Sequence, residues 1–569
     1  VILPPQVEQA IRALPLRRCN RRYILRRLRC GRRILPMMGG AVTLDVGAGV
    51  SAKPASTTQT LTVWATGDTP KAVILWAGAN ATAEDTTTAG AGIGLGFSDG
   101  TNHWSSAIAM VDGAATTVAK KYHAAKALTL LNGDGTVLDS CTAAFTANTV
   151  TLTWGNSTGG PLIHYLALGG TDITNVKVGT YNADNTAGVR QVETATIVGT
   201  IVNAGNATIT VTAAGMANSP KAISVAVAAA DTASQVAAKV ANALAADVDV
   251  NGFFIVSYPG SADKVALTVR TQAVNDGTMN IASANGTCTG LTAQPTSANT
   301  TAGTSPLQAV TGVGFKPTFL MELGIAKPGA PPSGGANAAM AWAAFNATGS
   351  SGVACSSQDN VTPTIGSNES VATPSGSFSA FTMFSVKAYS YTITGSHSLT
   401  SFDSDGFTVN WTVTPSGAHY IGYLAMAGTF QTYITNAQNV TATGDTAFSG
   451  FGFTPVGLFV TSLYPDTDSN NASFGASAGA AKDAGACFAD FPIVTTEESD
   501  ERSSATYMTV LLNYSGSPPS LRAAIKLKTF DAGGITVTAD TLGETTPLSW
   551  IAFGEAATAN RRRLLAQCI

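Results

Sequence analysis

The sequence repeats itself three times, and that repeat constrains the fold more than any motif it contains. Each copy opens with a proline followed by an apolar run: Pro70 to Trp76, Pro317 to Leu323 and Pro455 to Val460. Two of the three are preceded by Gly-Phe, at Gly314-Phe315 and Gly452-Phe453. Each continues through a Gly-rich and Ser-rich segment around an aromatic residue, Phe97, Phe345 or Phe474, and closes with a pair of strands. The closing pairs are Thr149 to Trp154 with Tyr165 to Leu168, Phe407 to Thr412 with Tyr423 to Met426, and Ile535 to Ala539 with Trp550 to Phe553. In the first member of each pair Thr alternates with apolar residues at a period of two, the mark of a strand with one buried face. Glycine supplies the positive φ of the preceding turn in Asp403-Ser-Asp-Gly406 and Asp531-Ala-Gly-Gly534, whereas the first copy has Thr146-Ala-Asn148 there.

The spacing of the copies is uneven. The opening proline advances 138 residues from Pro317 to Pro455 but 247 from Pro70 to Pro317, so a domain of about 110 residues is inserted. Residues 191–303 have the texture of one. Strands are expected at Ala207 to Thr212, Ala222 to Val227, Phe253 to Ser257 and Val265 to Val269, with a turn at Asn275-Asp-Gly277. Between them Asp231-Thr232 is an N-cap and Gln235 completes a capping box. Val236, Val240, Ala243 and Leu244 then form one apolar helix face.

Three pieces of this insert, Thr210 to Met216, Ser224 to Val227 with Asp231-Thr232-Ala233, and Asn280-Ile-Ala with Asn285 to Gly290, resemble a small domain of tailed-bacteriophage structural proteins. The resemblance covers about one fifth of the chain. It implies a virion component, without separating tail, fibre, decoration or baseplate.

Composition points the same way. Charged residues are 12% of the chain, about half the usual share, so Thr, Ser, Asn and Gly must supply the polar surface. Thr suits pleated strands and the others suit turns. A surface poor in charge also opposes self-association weakly. The net charge of -3 hides a division: residues 1–38 hold ten arginines and one acid, Glu8, leaving the remainder at -12. We read Arg17, Arg18, Arg21, Arg22, Arg26 and Arg27 as an anchor for a protein partner, with Leu16, Cys19, Tyr23 and Leu28 on one helical face. Met37-Met38 offers an internal start, in which case residues 1–38 are a leader. The seven cysteines are scattered with no CxxC pair, so neither a zinc site nor a dense disulfide framework follows. No stretch reaches the roughly 18 apolar residues of a bilayer span.

Motifs that suggest chemistry have plainer readings. Gly-x-Ser-x-Gly occurs at Gly96 to Gly100, Gly155 to Gly159 and Gly475 to Gly479, but no helical pattern follows any of them, as a nucleophile elbow requires. The five histidines show no metal-ligand spacing and no local Ser-His-Asp arrangement. Asp466, Asp468 and Asn470 begin like an EF-hand loop, but Asn471 and Ser477 stand where it needs Gly and Glu. A looser calcium loop involving Asp403 and Asp405 is the alternative. Glu322, Glu369, Glu497 and Glu498 show no spacing that marks a glycosidase pair.

The expectation is a mainly β protein: three antiparallel β-sandwich units, jelly-roll or Ig-like, with an α+β domain inserted in or after the first. The boundaries are an arm at 1–40, units at 41–190, 304–440 and 441–557, the insert at 191–303 and a basic tail at 558–569. The expected function is that of a non-enzymatic virion structural protein without cofactor or metal. Its partners are other virion proteins and copies of itself, not nucleic acid. The alternative is a lectin-like receptor-binding protein in which Trp104 stacks on a host-surface glycan.

Overall fold

The computed structural model describes residues 43–556 apart from 66–67, 80–81, 111–118, 133, 184–185, 259–262, 329, 337, 358–369, 374–380, 388–389, 418, 465–468, 472–473, 483–484, 494–499, 514–519 and 544. The chain is mainly β, in antiparallel sheets, and each repeat forms a seven-stranded and a four-stranded sheet. Unit 1 sets the pattern. Its strands, among the described residues, are Asp45–Ala52, Thr58–Thr62, Ala72–Ala77, Thr87–Ala89, Ala91–Ser98, His103–Met110, Ala119–Ala124, Leu128–Leu131, Val137–Thr146, Thr149–Trp154 and Leu162–Gly169. The narrow sheet runs second, tenth, ninth, eighth. The wide sheet runs first, eleventh, third, fifth, sixth, seventh, and ends on a strand from another unit. Unit 2, from Ile173–Asn182 to His419–Gly428, and unit 3, from Gln431–Val440 to Thr546–Gly554, repeat this order strand for strand.

The seventh place in each wide sheet closes a cycle. The fourth strand of unit 2, Ser333–Ala336, pairs with the seventh of unit 1, Ala119–Ala124. That of unit 3, Ser469–Asn471, pairs with the seventh of unit 2, Ser370–Thr373. That of unit 1, Thr87–Ala89, pairs with the seventh of unit 3, Asp500–Ser504. Every unit therefore gives a strand to one neighbour and takes one from the other.

The two kinds of sheet explain two kinds of strand sequence. Thr149–Trp154 lies in a narrow sheet and turns its threonines outward, so it alternates. Ala72–Ala77 lies in a wide sheet and is buried at every position. Its Val73, Leu75 and Ala77 enter the sandwich core of unit 1, while Ala72, Ile74 and Trp76 enter a second core that all three units share. Phe319, Met321 and Trp342 of unit 2 and Phe459 and Phe553 of unit 3 complete that shared core. Units 2 and 3 have sandwich cores of their own.

Register supports the closing strands as read from sequence. Tyr165 faces Leu75, Tyr423 faces Glu322 and Trp550 faces Val460, each five residues after its opening proline. The hairpin turns agree as well. A Cβ on Gly406 would fall 1.9 Å from the Val310 carbonyl oxygen, and one on Gly534 would fall 2.0 Å from that of Phe448. Gly533 of unit 3 is left-handed, with φ of 88°, and in unit 1 Asn148, with φ of 53°, stands in its place.

Two readings are corrected. The aromatic landmarks are not equivalent, because Phe97 faces Ile74, Phe345 faces Leu320, and Phe474 lies beyond the Tyr464–Gly475 pair. Phe97 accordingly fills the shared core and Phe345 a sandwich core. The boundaries at 190 and 440 also move. Ile173–Asn182 pairs with His419–Gly428, and Gln431–Val440 pairs with Thr546–Gly554, so each is the first strand of the following unit. The insert thus belongs to unit 2, between its first strand and its second, Leu307–Thr311. Its sheets and the Ala233–Ala246 helix enclose a separate core. The helix is capped by Thr232 and Gln235 in a capping box, with Val236, Val240 and Leu244 buried.

Candidate functional site

The first strands of the three units start from one place. There the buried Asp172, in the link between units 1 and 2, accepts hydrogen bonds from the Thr43 hydroxyl at 2.7 Å, the Ala556 backbone N–H at 2.8 Å and the Thr429 hydroxyl at 3.2 Å. Thr43 precedes unit 1, Thr429 links units 2 and 3, and Ala556 follows unit 3. One carboxylate therefore gathers both ends of the described chain and two inter-unit links. The Glu555 carbonyl accepts from Gln431 at 2.7 Å and its carboxylate from the Thr43 N–H at 3.4 Å.

From this junction the first strand of unit 2 runs ten residues, about 30 Å, to Asn182, where the insert begins. The molecule thus has a junction end and an insert end. Residues 17–27 lie outside the described residues, as do Arg561 to Arg563. Replacing Asp172 by Ala would leave the half-buried Ala556 N–H without this partner. The expected cost is about 1–3 kcal/mol in urea unfolding, with Asp172→Asn intermediate; full stability in Asp172→Ala would deny the junction its role.

Near the root of the insert, unit 2 buries three polar groups. Tyr181 donates to Glu322 Oε1 at 2.8 Å, and Nε2 of His397 lies 3.0 Å from the Tyr181 oxygen and 3.2 Å from Glu322 Oε2. Both Glu322 and His397 are fully buried. Phe381 and Phe345 stack on the His397 ring and Trp411 meets it edge-on at 4.7 Å. Burial, then the Glu322 charge, raises the Tyr181 phenol well above its ordinary range. The network ties together the strands that carry its members, while Nδ1 of His397 is buried without a hydrogen-bond partner. Enclosed in the sandwich core, it offers no path for a substrate.

Among the described residues, Ser–His contacts exist that spacing did not foresee. Ser98 Oγ lies 2.9 Å from His103 Nδ1 across the hairpin of the fifth and sixth strands, but Ser98 is buried and accepts the Gly100 N–H. The nearby Asp99 is occupied with the Thr101, Asn102 and Val178 backbone N–H groups. Ser503 Oγ lies 2.6 Å from His164 Nε2 and joins unit 3 to unit 1. Burial alone holds His164 at about 3, so its ring is neutral and stacks on Trp76. The serines of the three Gly-x-Ser-x-Gly matches fare no better: Ser98 and Ser477 are buried, and Ser157 is exposed in a loop after the tenth strand.

The remaining expected residues divide as follows. Trp104 is not a surface aromatic: it is completely buried in the shared core, and its indole N–H donates to the Leu323 carbonyl at 3.2 Å. It cannot stack on a sugar. Asp403 accepts from the Ser401 and Thr408 hydroxyls, and Asp405 from the Gly312 and Gly314 N–H groups, so both organise turns. Asp466 and Asp468 lie outside the described residues, as do Glu369, Glu497 and Glu498, while Asn470 belongs to the exchanged strand Ser469–Asn471. Among the described residues no cluster of three or more His, Cys, Asp or Glu could hold a metal ion. No described helix is long and apolar enough to cross a membrane. No family model matches the chain, and no curated protein matches it.

Proposed function

We propose that the chain is a non-enzymatic structural component of a tailed-phage virion, in the capsid decoration or the tail, acting as a trimer folded from a single chain. The observation that carries this reading is the cyclic exchange of the three short strands, which builds a threefold scaffold with one end gathered at Asp172. The junction end is the mount and the insert end is displayed. The acidic body and the basic segments that flank it in the sequence favour docking onto neighbouring copies or other virion proteins. Burial of Ser98, Ser503 and Glu322 supports a non-catalytic role. The glycan-binding alternative loses its one aromatic contact with the burial of Trp104.

Mass photometry of the full chain, with and without residues 1–38 and over a range of salt, tests the reading. Discrete assemblies that dissolve with salt or with removal of the arm are the expected result. A single-chain mass in every condition would overturn docking between copies through the arm.

A further inference from the structure

Lys53 follows the first strand of unit 1 and is 3% exposed. Its Nζ lies 3.1 Å from Oδ2 of Asp139, a carboxylate as buried as the amine. It lies 3.4 Å from Oδ1 and 3.3 Å from the carbonyl oxygen of Asn156, and also touches the Thr158 carbonyl. The Trp154 ring sits beneath it, 5.1 Å from centroid to nitrogen. The Asn156 carboxamide is held at both ends, its Nδ2 donating to the Leu138 carbonyl at 2.9 Å and its Oδ1 accepting the Thr158 N–H at 2.9 Å. An amine, a carboxylate and a polarised carboxamide are thus held together, with the amine 3.4 Å from the carboxamide oxygen.

We propose that Lys53 and Asn156 become joined by an isopeptide bond, with Asp139 carrying the protons. Asp139 takes a proton from the Lys53 ammonium, and the freed electron pair of Nζ attacks Cγ of Asn156. The Thr158 N–H stabilises the negative charge that develops on Oδ1. Asp139 passes its proton to Nδ2, the Cγ–Nδ2 bond breaks, and the nitrogen leaves as ammonia. The second Nζ proton leaves with it, by way of Asp139, so the leaving molecule is ammonium. One C–N bond forms and one breaks, charge is conserved, Asp139 ends as the carboxylate it began as, and no oxidant or water is consumed.

The placement gives the bond a purpose. Lys53 lies where the chain crosses from the wide to the narrow sheet, and Asn156 where it crosses back. The bond would close that end of the sandwich covalently, at the end of the first strand away from Asp172. Unit 2 has Ala183 and Val413 at the matching positions, so it lacks the device.

Peptide mapping by mass spectrometry of the denatured full chain is the test. The expected product is a branched peptide joining the Lys53 and Asn156 segments, lighter than the two by one ammonia, and absent from Lys53→Arg and Asp139→Asn. Linear peptides of unaltered mass from the native sequence would overturn the proposal without recourse to any variant. So would an ammonia loss confined to a linear Asn156-Ser157 peptide, which is a backbone succinimide, or a water loss with the branch at Asp139.

Discussion

Trp104→Ala is expected to cost about 3–5 kcal/mol in guanidinium unfolding, the range for truncating a buried tryptophan. Trp104 stands in the sixth strand of unit 1, but its ring fills space against unit 2. A Cβ placed on Gly422 would fall 1.9 Å from its Cδ1, and the His123 ring meets it edge-on at 5.3 Å. The truncation would therefore open a cavity where the units meet. Gly422→Ala is expected to be destabilising from the other side, by forcing the ring out of its place. If Trp104→Ala unfolded at the native denaturant concentration, the shared core would not have the packing described.

Acid is expected to weaken the contact between units 1 and 3. His164 is held at about 3 in the fold against an ordinary 6.5, because burial disfavours its charged form. The unfolded chain binds a proton that the folded chain refuses. Its contribution is therefore complete above pH 6.5 and lost as the pH falls from there towards 3. A separation of that size amounts to about 4–5 kcal/mol over the window. His103 and His419 are also lowered by burial and act in the same direction. Carboxylates held low by hydrogen bonds, such as Asp403, add losses only below their ordinary range near 3.8. Urea midpoints measured between pH 7 and pH 4 should fall steeply in the native protein and less so in His164→Gln, which keeps a polar group for Ser503. Equal slopes would assign the acid sensitivity elsewhere.

Much of the architecture was legible because it rests on periodicity. The narrow sheets alternate Thr with apolar residues, the wide sheets are apolar throughout, and the capping box of the insert helix is written in Thr232 and Gln235. What could not be read depends on partners distant in the sequence. Thr87–Ala89, Ser333–Ala336 and Ser469–Asn471 are three or four small or polar residues with no apolar signal, and only a neighbouring unit gives them a sheet to join. Ile173–Asn182 follows unit 1 so closely that nothing local assigns it to unit 2. Trp104 follows Asp99 to His103, a polar turn that suggests an exposed aromatic, but a wide sheet buried on both faces turns it inward. The polar clusters of Tyr181, Glu322 and His397 and of Lys53, Asp139 and Asn156 bring together residues too far apart for any spacing rule.

The cyclic exchange of strands has a consequence for copy number. A trimer made of separate chains dissociates on dilution and carries every feature in triplicate. Here the three positions are one polypeptide, so the ring cannot be diluted apart, and each position is free to diverge. That freedom is already used: the inserted domain and the Tyr181–Glu322–His397 cluster occur in one position, and the Lys53 cluster in another. A single head can thus be mounted on a threefold base without a second gene product and without selection among mixed subunits.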